Sequence, residues 1–306
     1  MLLQKASFFI AILPLLCYNN TRGDQMYSAL MIDLKKSRSY SIDSRNIIQH
    51  QLIYTCDKLN AVFSKSIIKK VEFSGGDEVQ GLFCEPSAAY LYFRLFEVLV
   101  YPIKIRAGIG LGKWDVKINN VGSTAQDGEV YHNARRAIDN VDNIEDCSVL
   151  FYSGNPEDIY INSLICSAST ITNNLTKTQQ VLAYCTELLS PIVSKKTMDI
   201  NLVSQILFNH LDNDFANILS DTDKNHILFR INCNIIRPII VEDIKDVFYV
   251  NSGKQRGLPQ KISLLLSKSR QSIDKSLKDG NIYTARNLSL TAIKTFEKIE
   301  GEYLDA

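Results

Sequence analysis

Apolar residues recur with two different periods along the first half of the chain, and they predict alternating strands and helices. Compact or alternating apolar runs predict strands at residues 29–32, 67–74, 80–84, 103–112 and 148–152. Apolar positions at helical spacing predict helices over residues 45–63, 86–99 and 129–138. This order is that of a βαββαβ unit with additions, so the sequence predicts an α+β fold with a ferredoxin-like domain.

The second half of the chain is predicted to be mainly helical. Turn-forming residues at 155–158 mark a boundary, and helices are predicted beyond it over residues 158–168, 176–189 and 199–210. Thr176 and Asp199 are residue types that favour helix N-caps. Residues 229–234 and 237–250 mix strand-like and helical fragments, and the pattern assigns them to neither class.

Near the C-terminus, the spacing of apolar and polar residues is that of a helix-turn-helix. Its predicted core consists of Ile262, Leu266, Ile273 and Leu277. The second helix, capped by Ser269, would project Arg270, Gln271 and Lys275 outward, and Arg270 and Gln271 could reach DNA base edges. Residues 254–298 hold ten Lys and Arg against three Asp and Glu. A DNA-binding helix-turn-helix and a protein-docking module with a solvated basic face both fit this pattern.

The patterns divide the 306-residue chain into four parts. Residues 1–25 are a leader or an upstream, non-native start. Residues 26–154 form the α+β domain, residues 155–250 a mainly helical middle region, and residues 251–306 the region that resembles a helix-turn-helix.

The interpretation of residues 1–25 determines whether a cytoplasmic or an exported protein is expected. Lys5 precedes the apolar run at residues 6–17, which resembles the n- and h-regions of a signal peptide and is too short for an ordinary membrane span. Met26 directly precedes the first predicted strand, so we take it as the true start and expect a cytoplasmic protein. Export is the alternative, if residues 1–25 are a real signal peptide.

Composition narrows the class of protein only slightly. A hydrophobic fraction of 45% and a charged fraction of 22% are ordinary for a folded protein, and no membrane partner is expected. The net charge of +1 indicates no partner. Seven scattered cysteines without a CxxC motif argue against a zinc site, and they favour reduced thiols in a cytosol.

The segment Gly75-Gly76-Asp77-Glu78 joins two predicted strands and places acidic side chains at a hairpin tip. Glycine accepts positive φ and lets a large anion approach the backbone. Asp33 ends the first predicted strand and would lie beside Asp77 in a ferredoxin-like sheet. Two adjacent carboxylates repel each other without a cation, so a hard metal ion such as Mg²⁺ best explains the pair. An ordinary turn remains the alternative for the hairpin taken alone.

These motifs, in this order, resemble the palm-type nucleotidyl cyclases and polymerases, which include GGDEF diguanylate cyclases, class III cyclases and the CRISPR polymerase palm. Residues 75–79 are similar to the GGDEF motif, and Ile32-Asp33 is similar to the metal-binding Asp after the first strand. Residues 106–110 and 128–137 are similar to the strand and helix motifs that follow. The whole chain resembles the SatD family more closely, in which such a domain precedes a helix-turn-helix.

The resemblance implies that a nucleotide 3′-hydroxyl attacks the α-phosphate of a nucleoside triphosphate, assisted by two Mg²⁺ or Mn²⁺ ions. Asp33 and Asp77 would be the catalytic metal ligands, and Glu78 would assist them. The implied nucleotide contacts are Gly75, Gly76, Asn133, Arg135 and Arg136.

Three functions follow from this reading. The first is a metal-dependent nucleotidyltransferase or cyclase coupled to a DNA-binding helix-turn-helix. The second is a non-catalytic DNA-binding regulator whose palm domain senses a nucleotide. The third is a palm kept as a scaffold for a homodimer. Asp33 and Asp77 favour the first function over the third, and the basic C-terminal segment favours the second.

Overall fold

The computed structural model describes residues 25–37, 40–210, 220–230 and 236–305. The leader assigned to residues 1–25 lies outside these ranges except for its last residue. Among the described residues, no helix combines the length and apolar character needed to cross a bilayer.

A five-stranded mixed sheet organises the first half of the chain. Its strands are β1 (Met26–Leu34), β2 (Ile67–Gly75), β3 (Glu78–Phe83), β4 (Ile105–Lys113) and β5 (Val149–Tyr152). They lie in the order β2-β3-β1-β4-β5, with β1 antiparallel to β3 and β4, and β5 parallel to β4. The protein is therefore α+β, and each strand overlaps a run that the sequence predicted.

Three helices cover the sheet: α1 (Ile42–Val62), α2 (Pro86–Val100) and α3 (Glu129–Val141). Because successive side chains of a strand point to opposite faces of the sheet, β1 contributes core residues to both faces. Leu30 and Ile32 are buried in the core with α1 and α2, whereas Ala29 and Met31 pack with α3. Helix α3 therefore lies on the face opposite α1 and α2.

Glycines at alternate positions of β4 let α3 lie directly on the strand. A Cβ on Gly108 or Gly110 would lie closer than 3.0 Å to backbone atoms of Ala134, and one on Gly112 would lie 2.9 Å from Val130 N. Real side chains do not tolerate such approaches to a helix backbone. The glycines of residues 106–110 thus fix α3 against the sheet.

The middle of the chain is mainly helical, as predicted. It holds α4 (Asp158–Asn173), α5 (Lys177–Leu189), α6 (Ile200–His210) and α7 (Asp221–Arg230), together with the short parallel strands β6 (Ile192–Val193) and β7 (Ile239–Ile240). Thr176 and Gln179 form a capping box at the start of α5, and Asp199 Oδ1 accepts a hydrogen bond from Asn201 N before α6. Both predicted N-cap positions are confirmed.

Three helices follow: α8 (Leu258–Leu266), α9 (Arg270–Asp279) and α10 (Ile282–Asp305). Helix α10 packs against α4 and α2. The ring centroid of Phe296 lies 5.1 Å from that of Phe151 and 5.7 Å from that of Tyr90. The C-terminal helix therefore shares its core with the sheet.

The cysteines differ from the sequence expectation. Cys147 and Cys166 are joined by a disulfide bond, with their Cα atoms 4.9 Å apart. Helix α4 packs against β5 and thereby brings Cys166 beside Cys147. In the described ranges, Cys56 and Cys185 are free and buried. The expectation of uniformly reduced thiols is thus wrong for the Cys147–Cys166 pair.

Candidate functional site

The tip of the β2–β3 hairpin borders open space. Gly75 pairs with Glu78 across the hairpin, and Gly76 has a φ of 61°, which glycine adopts without strain. A Cβ added to Gly75 or Gly76 would meet no heavy atom within 4 Å. Both glycines, predicted to face a nucleotide, therefore leave room for a ligand.

Asp77 occupies the second turn position and is half-buried. Its Oδ2 atom is buried and has no hydrogen-bond partner among the described residues. Leaving a buried polar atom unpaired costs on the order of 1–3 kcal/mol. A ligand that donated a hydrogen bond to this oxygen would remove that cost.

Glu78 forms a two-pronged ion pair with Arg135 of α3. Arg135 Nη1 donates to Oε2 at 2.6 Å and Nη2 donates to Oε1 at 2.6 Å, while Ser74 Oγ donates to Oε1 at 2.8 Å. Burial acts to raise the pKa of Glu78, but the hydrogen bonds from Arg135 and Ser74 outweigh it, so the pKa is lowered. Glu78 is therefore ionised, with both oxygens occupied.

Asp33 forms an ion pair with Arg106, its neighbour across the sheet, through one of its two carboxylate oxygens. Arg106 donates to Asp33 Oδ2 from Nη2 at 2.7 Å and from Nε at 3.1 Å, and its Nη1 donates to Asp142 at 2.7 Å. Pairing of Ile32 with Val79 brings Asp33 next to Glu78. We call Asp33, Glu78, Arg106 and Arg135 the charged edge.

The charged edge does not fit the two-metal centre that the resemblance implies. Within the part of the chain that the structure describes, no three His, Cys, Asp or Glu side chains are grouped to hold a metal ion. Arg106 pairs with one oxygen of Asp33 and Arg135 with both oxygens of Glu78, while Asp77 Oδ2 is buried and has no hydrogen-bond partner among the described residues. Arg106 and Arg135 supply the positive charge that a metal ion would otherwise supply beside these acids.

The polar residues of α3 are also engaged within the protein. Asn133 Nδ2 donates to Leu111 O of β4 at 2.8 Å, which ties the helix to the sheet. The guanidinium of Arg136 lies 4.4 Å from the ring centroid of Tyr152. Arg135 pairs with Glu78 but remains 45% exposed. Of the three predicted nucleotide contacts on α3, Arg135 and Arg136 are therefore exposed, whereas Asn133 is half-buried.

A second candidate surface lies on α9. The four predicted core residues of α8 and α9 are buried, and Ser269 Oγ accepts a hydrogen bond from Ser272 N at 3.2 Å. Arg270, Gln271 and Lys275 are exposed, and we call them the α9 basic face. Among the described residues, neither Arg270 nor Lys275 forms an ion pair.

Sequence reasoning missed a buried cluster at the centre of the molecule. Arg94 of α2 and Arg286 of α10 both donate to Oε1 of Glu187 on α5, the first from Nη2 at 3.0 Å. All three side chains are almost fully buried. They come from distant helices and belong to no short motif, so no local signal could have found them.

The chain matches a known protein family. No curated protein and no solved structure matches the chain. A family model described as the SatD family matches residues 27–218, more than half of the chain. The matched range contains the sheet, the charged edge and helices α1–α6, and it ends before α8 and α9. The chain therefore belongs to the SatD family, which confirms this part of the resemblance.

Proposed function

We propose that this protein is a DNA-binding regulator that contacts DNA through α8 and α9 and senses a nucleotide at the β2–β3 hairpin without turning it over. The observation that carries the proposal is the α9 basic face. The N-terminal domain is then a palm that has kept the family's hairpin, while arginines neutralise two of the acids expected to hold metal ions.

The geometry of α8 and α9 supports the DNA-binding part. In a helix-turn-helix, residues at the N-terminus of the second helix contact base edges in the major groove. Arg270 and Gln271 begin α9 and are exposed, and Lys275 lies further along the helix and is also exposed. Arginine and glutamine suit guanine and adenine edges, and lysine suits phosphate. This arrangement favours DNA over a docking protein as the partner.

Replacing Arg270 and Lys275 together with alanine should weaken DNA binding by about tenfold or more, since each such contact contributes about 1–3 kcal/mol. Fluorescence anisotropy with a labelled duplex measures the affinity. The control is Lys58→Ala with Lys70→Ala, which removes the same charge from exposed positions on α1 and β2. An equal loss of affinity in the control would mean that general charge, and not the α9 basic face, binds DNA.

The unpartnered Asp77 oxygen supports the nucleotide-sensing part. Asp77 follows Gly75 and Gly76 in the hairpin turn, and a Cβ added to either glycine would meet no heavy atom within 4 Å. A ribose hydroxyl or a base amino group could donate the missing hydrogen bond. Arginines already neutralise Asp33 and Glu78, so these carboxylates are less suited to hold catalytic metal ions. The side chains therefore favour nucleotide binding without turnover.

Replacing Asp77 with alanine should weaken nucleoside triphosphate binding by about tenfold, because the acceptor for a buried hydrogen bond is lost. Calorimetry with each of the four nucleoside triphosphates, with and without Mg²⁺ or Mn²⁺, measures the affinity of the wild type and the variant. Asp57→Ala, at an exposed position of α1, is the control and should bind normally. Failure of every nucleotide to bind would overturn this part of the proposal.

Chromatography of the same mixtures distinguishes sensing from catalysis. We expect no new product with either metal ion. A metal-dependent product that Asp77→Ala abolishes would contradict the proposal and support the nucleotidyltransferase hypothesis instead.

The proposal places the protein in the cytoplasm, where DNA and nucleoside triphosphates are found. The Cys147–Cys166 disulfide is of a kind that persists mainly in oxidising compartments. Export through residues 1–25 is therefore the alternative, and it would separate the protein from both proposed ligands.

A further inference from the structure

A cavity of about 110 Å³ lies where α2, α4, α5 and α10 meet. Neither the hairpin tip nor α9 contributes to its lining, so it is distinct from both sites above. Much of its wall is apolar or aromatic, including Phe93 and Tyr184. Its charged lining residues are Arg94, Glu97, Lys104, Glu187 and Arg286.

Glu187 leaves an acceptor unused in this wall. Arg94 and Arg286 both donate to its Oε1 atom, whereas Oε2 is buried and has no hydrogen-bond partner among the described residues. The Glu187 side chain is only 7% exposed, so water cannot readily hydrate the second oxygen. The pairing is therefore incomplete on the Oε2 side.

Arg94 leaves donors unused beside this acceptor. Within the described residues its one hydrogen bond to protein is from Nη2 to Glu187 Oε1, although a guanidinium has five N–H groups. The same wall thus presents an acceptor that lacks a donor and donors that lack an acceptor. A group that both donates and accepts, such as an amide, satisfies both requirements at once.

Size and charge restrict the ligand further. An engineered apolar cavity of about 150 Å³ binds benzene, so a space of this order takes about one ring. Arg94 and Arg286 line the cavity together with the carboxyl groups of Glu187 and Glu97, and Lys104, which also lines it, is exposed. Burying an additional charge against this nearly balanced wall would be costly.

We propose that the cavity binds a small, uncharged, one-ring aromatic molecule with an amide group that accepts from Arg94 and, with the Glu187 carboxyl group turned toward the cavity, donates to Glu187 Oε2. The ligand enters past Lys104, whose Nζ donates to Asn173 Oδ1 at 3.0 Å. Because helices from both halves of the chain line the cavity, a bound ligand would hold α10 against α2, α4 and α5. This site does not depend on the DNA or nucleotide proposals.

Benzamide is the probe that tests this assignment. Calorimetry with the full chain should show one benzamide bound per chain. Toluene, benzoate and benzylamine, which lack the amide or carry a charge, should bind weaker by about tenfold, or about 1.4 kcal/mol. Absence of benzamide binding, or tighter binding of any of the other three probes, overturns the assignment.

Cavity-filling variants locate the probe. Ala183→Leu and Ser169→Leu place extra atoms in the lining from α5 and α4, and benzamide affinity should fall by about tenfold in each. Thr178→Leu, at an exposed position of α5, is the matched control and should bind as the wild type does. Thermal unfolding identifies which variants are folded, and unchanged affinity in a folded cavity variant overturns the proposal.

Discussion

Replacing Gly110 with alanine is expected to destabilise the protein by about 3 kcal/mol or more, the upper end of overpacking effects. The new Cβ would lie closer than 3.0 Å to Ala134 N and Val130 O, which are backbone atoms of α3. No side-chain rotation relieves such a clash, so α3 must move away from β4. Equilibrium unfolding in urea measures the loss of free energy of unfolding.

Gly301→Ala in α10 is the matched control for this substitution. A Cβ at Gly301 meets no heavy atom within 4 Å, and alanine favours a helix over glycine by about 1 kcal/mol. The control should therefore be as stable as the wild type or slightly more stable. Wild-type stability of the Gly110 variant would contradict the close packing of α3 on β4.

Replacing Glu187 with alanine should cost about 3–5 kcal/mol of unfolding free energy, because the buried charges of Arg94 and Arg286 would lose their counter-ion. Glu297→Ala is the control, since Glu297 forms a partly exposed pair with Lys294 at 2.9 Å and its loss should cost about 0–1 kcal/mol. Urea unfolding of both variants at neutral pH measures the difference. Equal stability of the two variants would contradict the burial of the ion pairs that Glu187 forms with Arg94 and Arg286.

The same variant has a predicted pH signature. Burial acts to raise the pKa of Glu187, but the charges of Arg286 and Arg94 outweigh it and lower the folded-state pKa. The stability that this carboxylate contributes is therefore present above its unfolded pKa of about 4.3, and it is lost as pH falls through the lower folded pKa. Glu187→Ala should consequently lose less stability than the wild type on acidification below about pH 4. If the free energies of unfolding of the wild type and of Glu187→Ala fell in parallel as the pH is lowered, the pairing of Glu187 with Arg94 and Arg286 would be contradicted.

The sequence predicted the first half of the fold well because local periodicity determines each element there. A strand with alternating apolar and polar residues, or a helix with an apolar face, can be recognised from the residues of that segment alone. Residues 237–250 were not assigned because their regular structure is limited to a strand of two residues and a single 3₁₀ turn, Val241–Asp243. Of the other unassigned segment, residues 229–234, only the first two residues are described, and they end α7. Segments this short have no period to detect.

The candidate site was predicted less well, because its chemistry depends on partners from other elements. Asp33 and Glu78 were identified as site residues, but ion pairs with Arg106 and Arg135 require the register of β1 with β4 and the position of α3. The same limit applies to the cavity, whose polar residues come from α2, α5 and α10. Long-range packing created these contacts, and no short motif encodes them.

The salt dependence of DNA binding tests the role of the α9 basic face most directly. Binding of a labelled duplex to the wild type should weaken linearly on a log–log plot against salt concentration. Arg270→Ala with Lys275→Ala should make that slope shallower by up to about 2 units, whereas Lys58→Ala with Lys70→Ala should leave it unchanged. Identical slopes for the two variants, or no binding by the wild type even at low salt, would contradict DNA recognition by α9.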